Sequence, residues 1–229
     1  KGTVTFTTAP GVSPVTGHDN VRVTASKARE GYGGMVSACT VFAVYGVGGA
    51  ADRVFLSGNA AKPGMDWYSA YDDPTYFPDT SYTQLSRDGA RVAGYAILNN
   101  TLATFLQGST DGRSVVVRTG SLDSDGEALF RITNTLIGED AAAPGTFAMA
   151  GKEPLFLTER GIYAITAEEL TGEKYSQERS YYISTELEKA EGKAGARAIV
   201  WRDFYILALG STLYLLDLRQ RSYEKNSPY

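Results

Sequence analysis

Between Asp66 and Asp79 the chain sets carboxylates beside aromatic rings: Asp66-Trp67-Tyr68, then Tyr71-Asp72-Asp73, then Tyr76-Phe77 and Asp79, with Asp52 just upstream. Such a mixture suits sugar recognition, because rings stack on the apolar face of a pyranose while acids accept its hydroxyl hydrogens. Glycoside cleavage would draw on the same residue types, with two acids about 5 to 10 Å apart. The residues singled out for a ligand or partner are Asp66, Trp67, Tyr68, Asp72, Asp73 and Tyr76. The structural alternative uses them differently. The rings would pack a long loop onto the strands beneath, Pro74 and Pro78 would hold it extended, and the aspartates would cap its turns.

Other chemistry-bearing motifs have plainer readings. Ser121 to Phe130 approaches the Asp-box turn of sialidase-like proteins, but has one residue too many before Gly126 and another before Phe130. As a calcium loop it lacks the third acidic position and the terminal glutamate. An Asp/Gly turn between two strands is the expectation. Gly46-Val47-Gly48-Gly49 is followed by the strand-like Arg53 to Ser57, whereas phosphate binding needs a helix N-terminus there. It reads as a hairpin loop. His18 lies between Gly17 and Asp19 with no nucleophile and acid in view, so a turn histidine is expected. Cys39, the one cysteine, cannot form an internal disulfide and reads as a small core residue. One cysteine and one histidine are also too few for a structural zinc site, so no catalytic residue, metal or cofactor is assigned.

Those motifs must be held by strands. Glycine supplies 25 and tyrosine 15 of the 229 residues, and helix-period apolar stripes are nearly absent. The balance of 22 basic and 26 acidic side chains, a net −4, gives no reason to expect nucleic acid or an anionic membrane as a partner. Self-similarity is the strongest long-range signal. Phe105, Phe156 and Leu207 fall about 51 residues apart in matching apolar segments. A polar two-residue turn precedes each: Asn99-Asn100, Gly151-Lys152 and Arg202-Asp203. In Phe204 to Leu209 both alternating faces are apolar, which asks for cover on both sides.

These features predict an all-β chain, a β-propeller or an open arc of about four blades. The blades are placed at about 35–86, 87–135, 145–184 and 195–222, after an N-terminal arm over 1–34. In that arm Gly2 to Thr8 and Val21 to Ser26 are read as strands. Residues Gly58 to Ser81 are read as an insertion in the first unit, and Tyr82 to Ser86, Ala128 to Thr133 and Ser180 to Ser184 as outer strands. The one helix expected covers Thr185 to Ala190, with Ser184 as its N-cap. The ends at Lys1 and Ser227-Pro228-Tyr229 suggest a piece of a longer polypeptide and a larger ring.

Several ordered motifs also carry a resemblance. Thr7-Thr8-Ala9-Pro10-Gly11, Gly17-His18-Asp19-Asn20-Val21, Asp52 to Asn59, Asp66 to Ser69, Asp72 to Asp79 and Glu153 to Thr158 together resemble tailed-phage and prophage structural proteins. That family comprises large neck or tail proteins, partly built as β-propellers and often labelled as stabilisation proteins. The resemblance covers most of the chain. It implies a non-enzymatic virion component, assembled in the bacterial cytoplasm and acting on other virion proteins or copies of itself. It supplies no catalytic residues. The alternatives are a carbohydrate-binding or glycoside-cleaving propeller using loop 66–79, with a surface glycan as partner, and a cellular interaction module of the same architecture.

Overall fold

The computed structural model describes residues 3–18, 20–21, 23, 27, 29–151, 153–165 and 177–219. The described chain is dominated by β structure, with two six-residue helices, α1 (Tyr32–Ser37) and α2 (Ser184–Lys189). Strands β1 (Val41–Val44), β2 (Val54–Ser57), β3 (Met65–Tyr68) and β4 (Tyr82–Gln84) form the first sheet. The second comprises β5 (Arg91–Leu98), β6 (Thr101–Gln107), β7 (Arg113–Leu122) and β8 (Ala128–Ile137). In the third are β9 (Ala148–Ala150), β10 (Glu153–Leu157), β11 (Ile162–Ala164) and β12 (Gln177–Glu178). The fourth has three strands, β13 (Arg197–Trp201), β14 (Phe204–Leu209) and β15 (Thr212–Asp217). Every named pairing is antiparallel between consecutive strands.

The hairpin chemistry is visible at all three repeated turns, with Gly151 at a positive φ of 65° and Lys152 outside the described residues. Asn99 and Asn100 both take positive φ (46° and 61°), as a tight two-residue turn that follows the strand twist requires. Arg202 does the same at 53° between β13 and β14. The glycine loop Gly46 to Gly49 closes the β1–β2 hairpin and lies against β7. A Cβ on Gly120 would stand only 2.9 Å from the Gly46 carbonyl oxygen, so glycine is what lets the two backbones approach.

Apolar clusters join the sheets in chain order. Tyr45 and Phe55 of the first unit meet Leu102 and Phe130 of the second. Phe105 and Val117 of the second meet Phe156 and Tyr163 of the third, and Leu155 and Leu157 of the third meet Tyr205 and Leu207 of the fourth. The two central sheets are thus covered on both faces.

The propeller expectation is overturned. The fold is all-β, but it consists of four separate small antiparallel sheets, none of them closed or curled into a propeller or barrel. Phe105, Phe156 and Leu207 do lie on the second strand of successive sheets. Yet Phe105 and Phe156 face each other across one interface, with ring centroids 4.8 Å apart. Counted from the hairpin turns, Phe105 is the fifth residue of its strand, whereas Phe156 and Leu207 are the fourth, so alternation puts Phe105 on the opposite face. The 51-residue spacing therefore matches apolar segments and not equivalent facing positions.

Local expectations are corrected too. Thr3 to Thr8 is exposed coil and not a strand; Gly2 lies outside the described residues. Val21 and Val23 are likewise not in a strand, while 22 and 24–26 lie outside the described residues. The proposed insertion contains β3, so Asp66 to Tyr68 belong to the sheet. The outer strand placed at Ser180 to Ser184 is instead a 3-10 turn (Tyr181–Ile183) leading into α2, and β12 takes the edge. Ser184 is the first helical residue, not the N-cap, and α1 is a second helix where one was expected. Three glycines and a β-branched valine in or beside α1 hid it, because they lower intrinsic helix propensity.

Carboxylates tie the loops at one end of the second sheet. Asp88 accepts hydrogen bonds from the Ala90 and Thr110 amides (3.2 and 2.8 Å) and from the Ser86 hydroxyl. Asp111 accepts from Ser109 Oγ and from Arg113. Hydrogen bonds from Arg113 and Ser109 hold the Asp111 carboxyl down to about 2, and those from Ser86, Thr110 and Ala90 hold Asp88 well below the ordinary 3.8. Folding lowers both, so their contribution is complete above about pH 4 and is lost as pH falls through about 2. Urea midpoints should therefore decline between about pH 4 and pH 2. Asp88→Asn should start lower and decline less, and an undiminished decline in that variant would assign the effect elsewhere.

Candidate functional site

The acidic and aromatic segment divides between the interior and the surface. Alternation along β3 sends Asp66 and Tyr68 toward the second sheet, with Trp67 on the opposite face, paired in register with Leu56 and Tyr82. Trp67 is nevertheless only 1% exposed, and Asp66 is fully buried. Tyr68 packs in a cage of rings with Phe55 and Phe130, at centroid distances of 5.4 and 4.9 Å. These three side chains therefore serve the packing of the first sheet and its junction with the second.

At that junction Asp66 forms a buried ion pair with Arg118 of β7. One guanidinium nitrogen reaches Asp66 Oδ1 at 3.2 Å, and the other donates to Asp66 Oδ2 and to Thr104 Oγ1 (3.2 Å). Tyr95 donates its hydroxyl to Asp66 Oδ2 at 3.1 Å, and the Arg118 guanidinium lies 5.2 Å from the centre of the Phe55 ring. Burial and the Asp66 charge push the Tyr95 phenol well above its usual range. Nearby, Tyr45 donates to the Asn100 carbonyl (2.7 Å) and accepts from the Gly120 amide (3.0 Å). Polar bonds thus add direction to an apolar interface.

Asp72, Asp73 and Tyr76 lie on the turn beyond β3. Asp72 holds a positive φ of 49°, and its amide donates to the Asp52 carbonyl at 2.9 Å. Asp73 accepts from the Thr75 amide and hydroxyl (2.9 and 2.6 Å), which lowers its pKa. Asp52 pairs with Arg53 and Asp79 with Arg29. Four of the five carboxylates, Asp52, Asp66, Asp73 and Asp79, thus go to different partners, and the turn-capping role weighed from the sequence accounts for Asp73.

Tyr76 belongs to the accessible part. With Thr75, Phe77 and Asp79 it forms one wall of a cleft of about 630 Å³, and α1 forms the other. Leu56 and Cys39 also line this cleft, and Tyr32 bridges its walls by donating to the Pro78 carbonyl at 2.9 Å. Lys27 and Arg29 line it opposite Asp79, so its charge is mixed. Cys39 is half-buried, and burial pushes its thiol up to about 11, far from a resting thiolate. His18 is exposed in a turn, its amide bonded to the Val15 carbonyl at 3.2 Å. Asp123 caps the Ser121 to Phe130 turn by accepting from the Asp125 and Glu127 amides (2.9 and 2.8 Å).

No group of three or more His, Cys, Asp or Glu side chains able to hold a metal occurs among the described residues. Among those residues, too, no helix is long and apolar enough to cross a membrane.

A second candidate surface lies at the other end of the chain. The fourth sheet packs Tyr205, Leu207 and Leu209 against the third, and β13 and β15 turn Ile199, Trp201, Leu213 and Leu215 outward at 61, 53, 64 and 62% exposure. Register places Ile199, Ile206 and Leu215 in one row across the three strands. Apolar residues on both faces of Phe204 to Leu209 had already signalled this surface. Arg118 also left a signal, since an arginine ending the run Val115-Val116-Val117 at an inward position requires a buried acid. The residues of α1 and Lys27 left none. No family model matches the chain, and no curated protein matches it.

Proposed function

We propose that the chain is a non-enzymatic structural component of a phage or prophage particle, of the neck or tail region, that works through contacts with other proteins. The observation that carries this reading is the outer face of the fourth sheet. Large apolar side chains contiguous across three strands mark a contact surface more often than an ordinary solvated face. The series of motifs from Thr7 to Thr158 supports the particle as the setting. The geometry favours protein contact over sugar binding, because Trp67 offers no open ring face and Asp66 is committed to Arg118.

Particles purified from the bacterium that encodes the chain, after induction, should contain it at a fixed copy number by mass spectrometry. A chain abundant in the lysate and absent from particles would refute the assignment. Ile199→Lys with Trp201→Lys should reduce incorporation about tenfold or more, since one buried unpaired charge already costs more than the 1.4 kcal/mol of a tenfold change. Its melting midpoint should barely move, because substitutions on exposed positions usually shift stability by no more than about 0.5 kcal/mol.

A further inference from the structure

Among the described residues the fourth sheet has three strands where each of the others has four. Its last strand, β15, is hydrogen-bonded to β14 on one side and, among the described residues, to no strand on the other. Among the described residues nothing pairs with that edge. It reads Thr-Leu-Tyr-Leu-Leu-Asp, without the lysine or proline that natural edge strands use to discourage added partners. By contrast, the third sheet ends on a fourth strand of two residues, Gln177–Glu178, too short to template much.

At the other end of the chain lies a strand sequence without a sheet. Thr3-Val4-Thr5-Phe6-Thr7-Thr8 alternates threonine with the apolar Val4 and Phe6, all types that favour a pleated, half-buried setting. Here it is coil, paired with no strand among the described residues, and Val4 and Phe6 are 56 and 48% exposed. The segment and β15 have the same length.

We propose that residues 3–8 of a second copy of this chain add to β15 as an antiparallel fourth strand. This names the partner of the contact reading given above and rests on it. The driving forces are those of strand addition: main-chain hydrogen bonds along an open edge, with side-chain alternation setting the face. Val4 and Phe6 come to lie beside Tyr214 and Leu216, half-buried residues at the rim of the cluster between the third and fourth sheets, and complete its cover. The threonines take the outer face. Donor and acceptor are different surfaces, so copies join head to tail, in a ring if the rotation closes and in a filament if it does not.

The full chain should therefore self-associate in sedimentation measurements between about 1 and 100 μM, the range of a modest edge contact. Phe6→Pro removes an amide donor from the added strand at a position that is exposed and unpaired in the single copy, so folding should be untouched. Association should weaken at least about tenfold in that variant, and the amides of 212–217 should lose the hydrogen-exchange protection they gain in wild type as concentration rises. Several results would overturn the proposal: a wild-type chain monomeric throughout, association unchanged in Phe6→Pro, or a monomer whose own residues 3–8 are protected. Association that persists in Phe6→Pro but is lost in Ile199→Lys with Trp201→Lys would reject the strand and keep the contact face. Absence of the chain from particles would instead reject the reading on which both rest.

Discussion

Asp66→Ala is expected to lower the unfolding free energy by about 3–5 kcal/mol, the usual cost of removing one partner of a buried ion pair. Arg118 is fully buried, and its guanidinium would lose two bonds to Asp66 with no water at hand to replace them. The weaker bonds to Thr104 and Thr83, at 3.2 and 3.4 Å, do not neutralise the charge. Tyr95 loses its acceptor in the same step. A loss of that size is a large share of the total stability of a typical domain, so the variant should be marginal at room temperature. Asp66→Leu combined with Arg118→Met should recover most of the loss, because an apolar pair of similar volume avoids both desolvation and the unpaired charge. Urea unfolding followed by tryptophan fluorescence measures both, since Trp67 is buried beside Asp66 in sequence and on the same strand. A single variant within about 1 kcal/mol of wild type would show that Arg118 finds another way to satisfy its charge.

The same pair shows what the sequence disclosed about the site and what it hid. Asp66 drew notice as a member of an acidic, aromatic loop, and composition alone could not separate a carboxylate that meets a sugar from one that meets an arginine. The deciding datum was its partner, Arg118, 52 residues away and on another sheet. Strand identity was legible in Phe204 to Leu209 and in Thr101 to Gln107, where alternation and hairpin turns are local properties. Sheet-to-sheet geometry was not, because it depends on which face each strand turns to its neighbour. A bulge between Val92 and Gly94 on β5 shows how one residue's slip alters that facing without touching the apolar pattern. The helix α1 escaped for a different reason: it is six residues long, contains two glycines and has no buried residue, so it leaves no periodic stripe to read.

Phe156→Ala should destabilise the chain by about 3–5 kcal/mol, and the loss should concentrate at one interface. Phe156 is fully buried between the second and third sheets, with Phe105 at 4.8 Å and Phe147 stacked at 5.2 Å between ring centroids. The void cannot close by sliding Phe147, because that ring already fills the space over Gly94, where a Cβ would sit 2.5 Å from it. Nor can β10 move inward freely, since its other face holds Leu155 and Leu157 against Tyr205 and Leu207 of the fourth sheet. Cavity cost adds to transfer cost under such constraints, which puts the change at the upper part of the range. Phe156→Leu keeps most of the volume and should cost about 1.5 kcal/mol or less. Because among the described residues the apolar clusters connect only sheets adjacent in the chain, weakening this contact should let the third and fourth sheets open before the first two. Native-state hydrogen exchange reads this directly: amides of β10, β11 and β14 should lose protection in Phe156→Ala, while those of β2 and β3 in the first sheet retain most of theirs. A uniform loss across all four sheets would mean that they unfold as one cooperative unit, so that the interface transmits strain further than its own contacts reach.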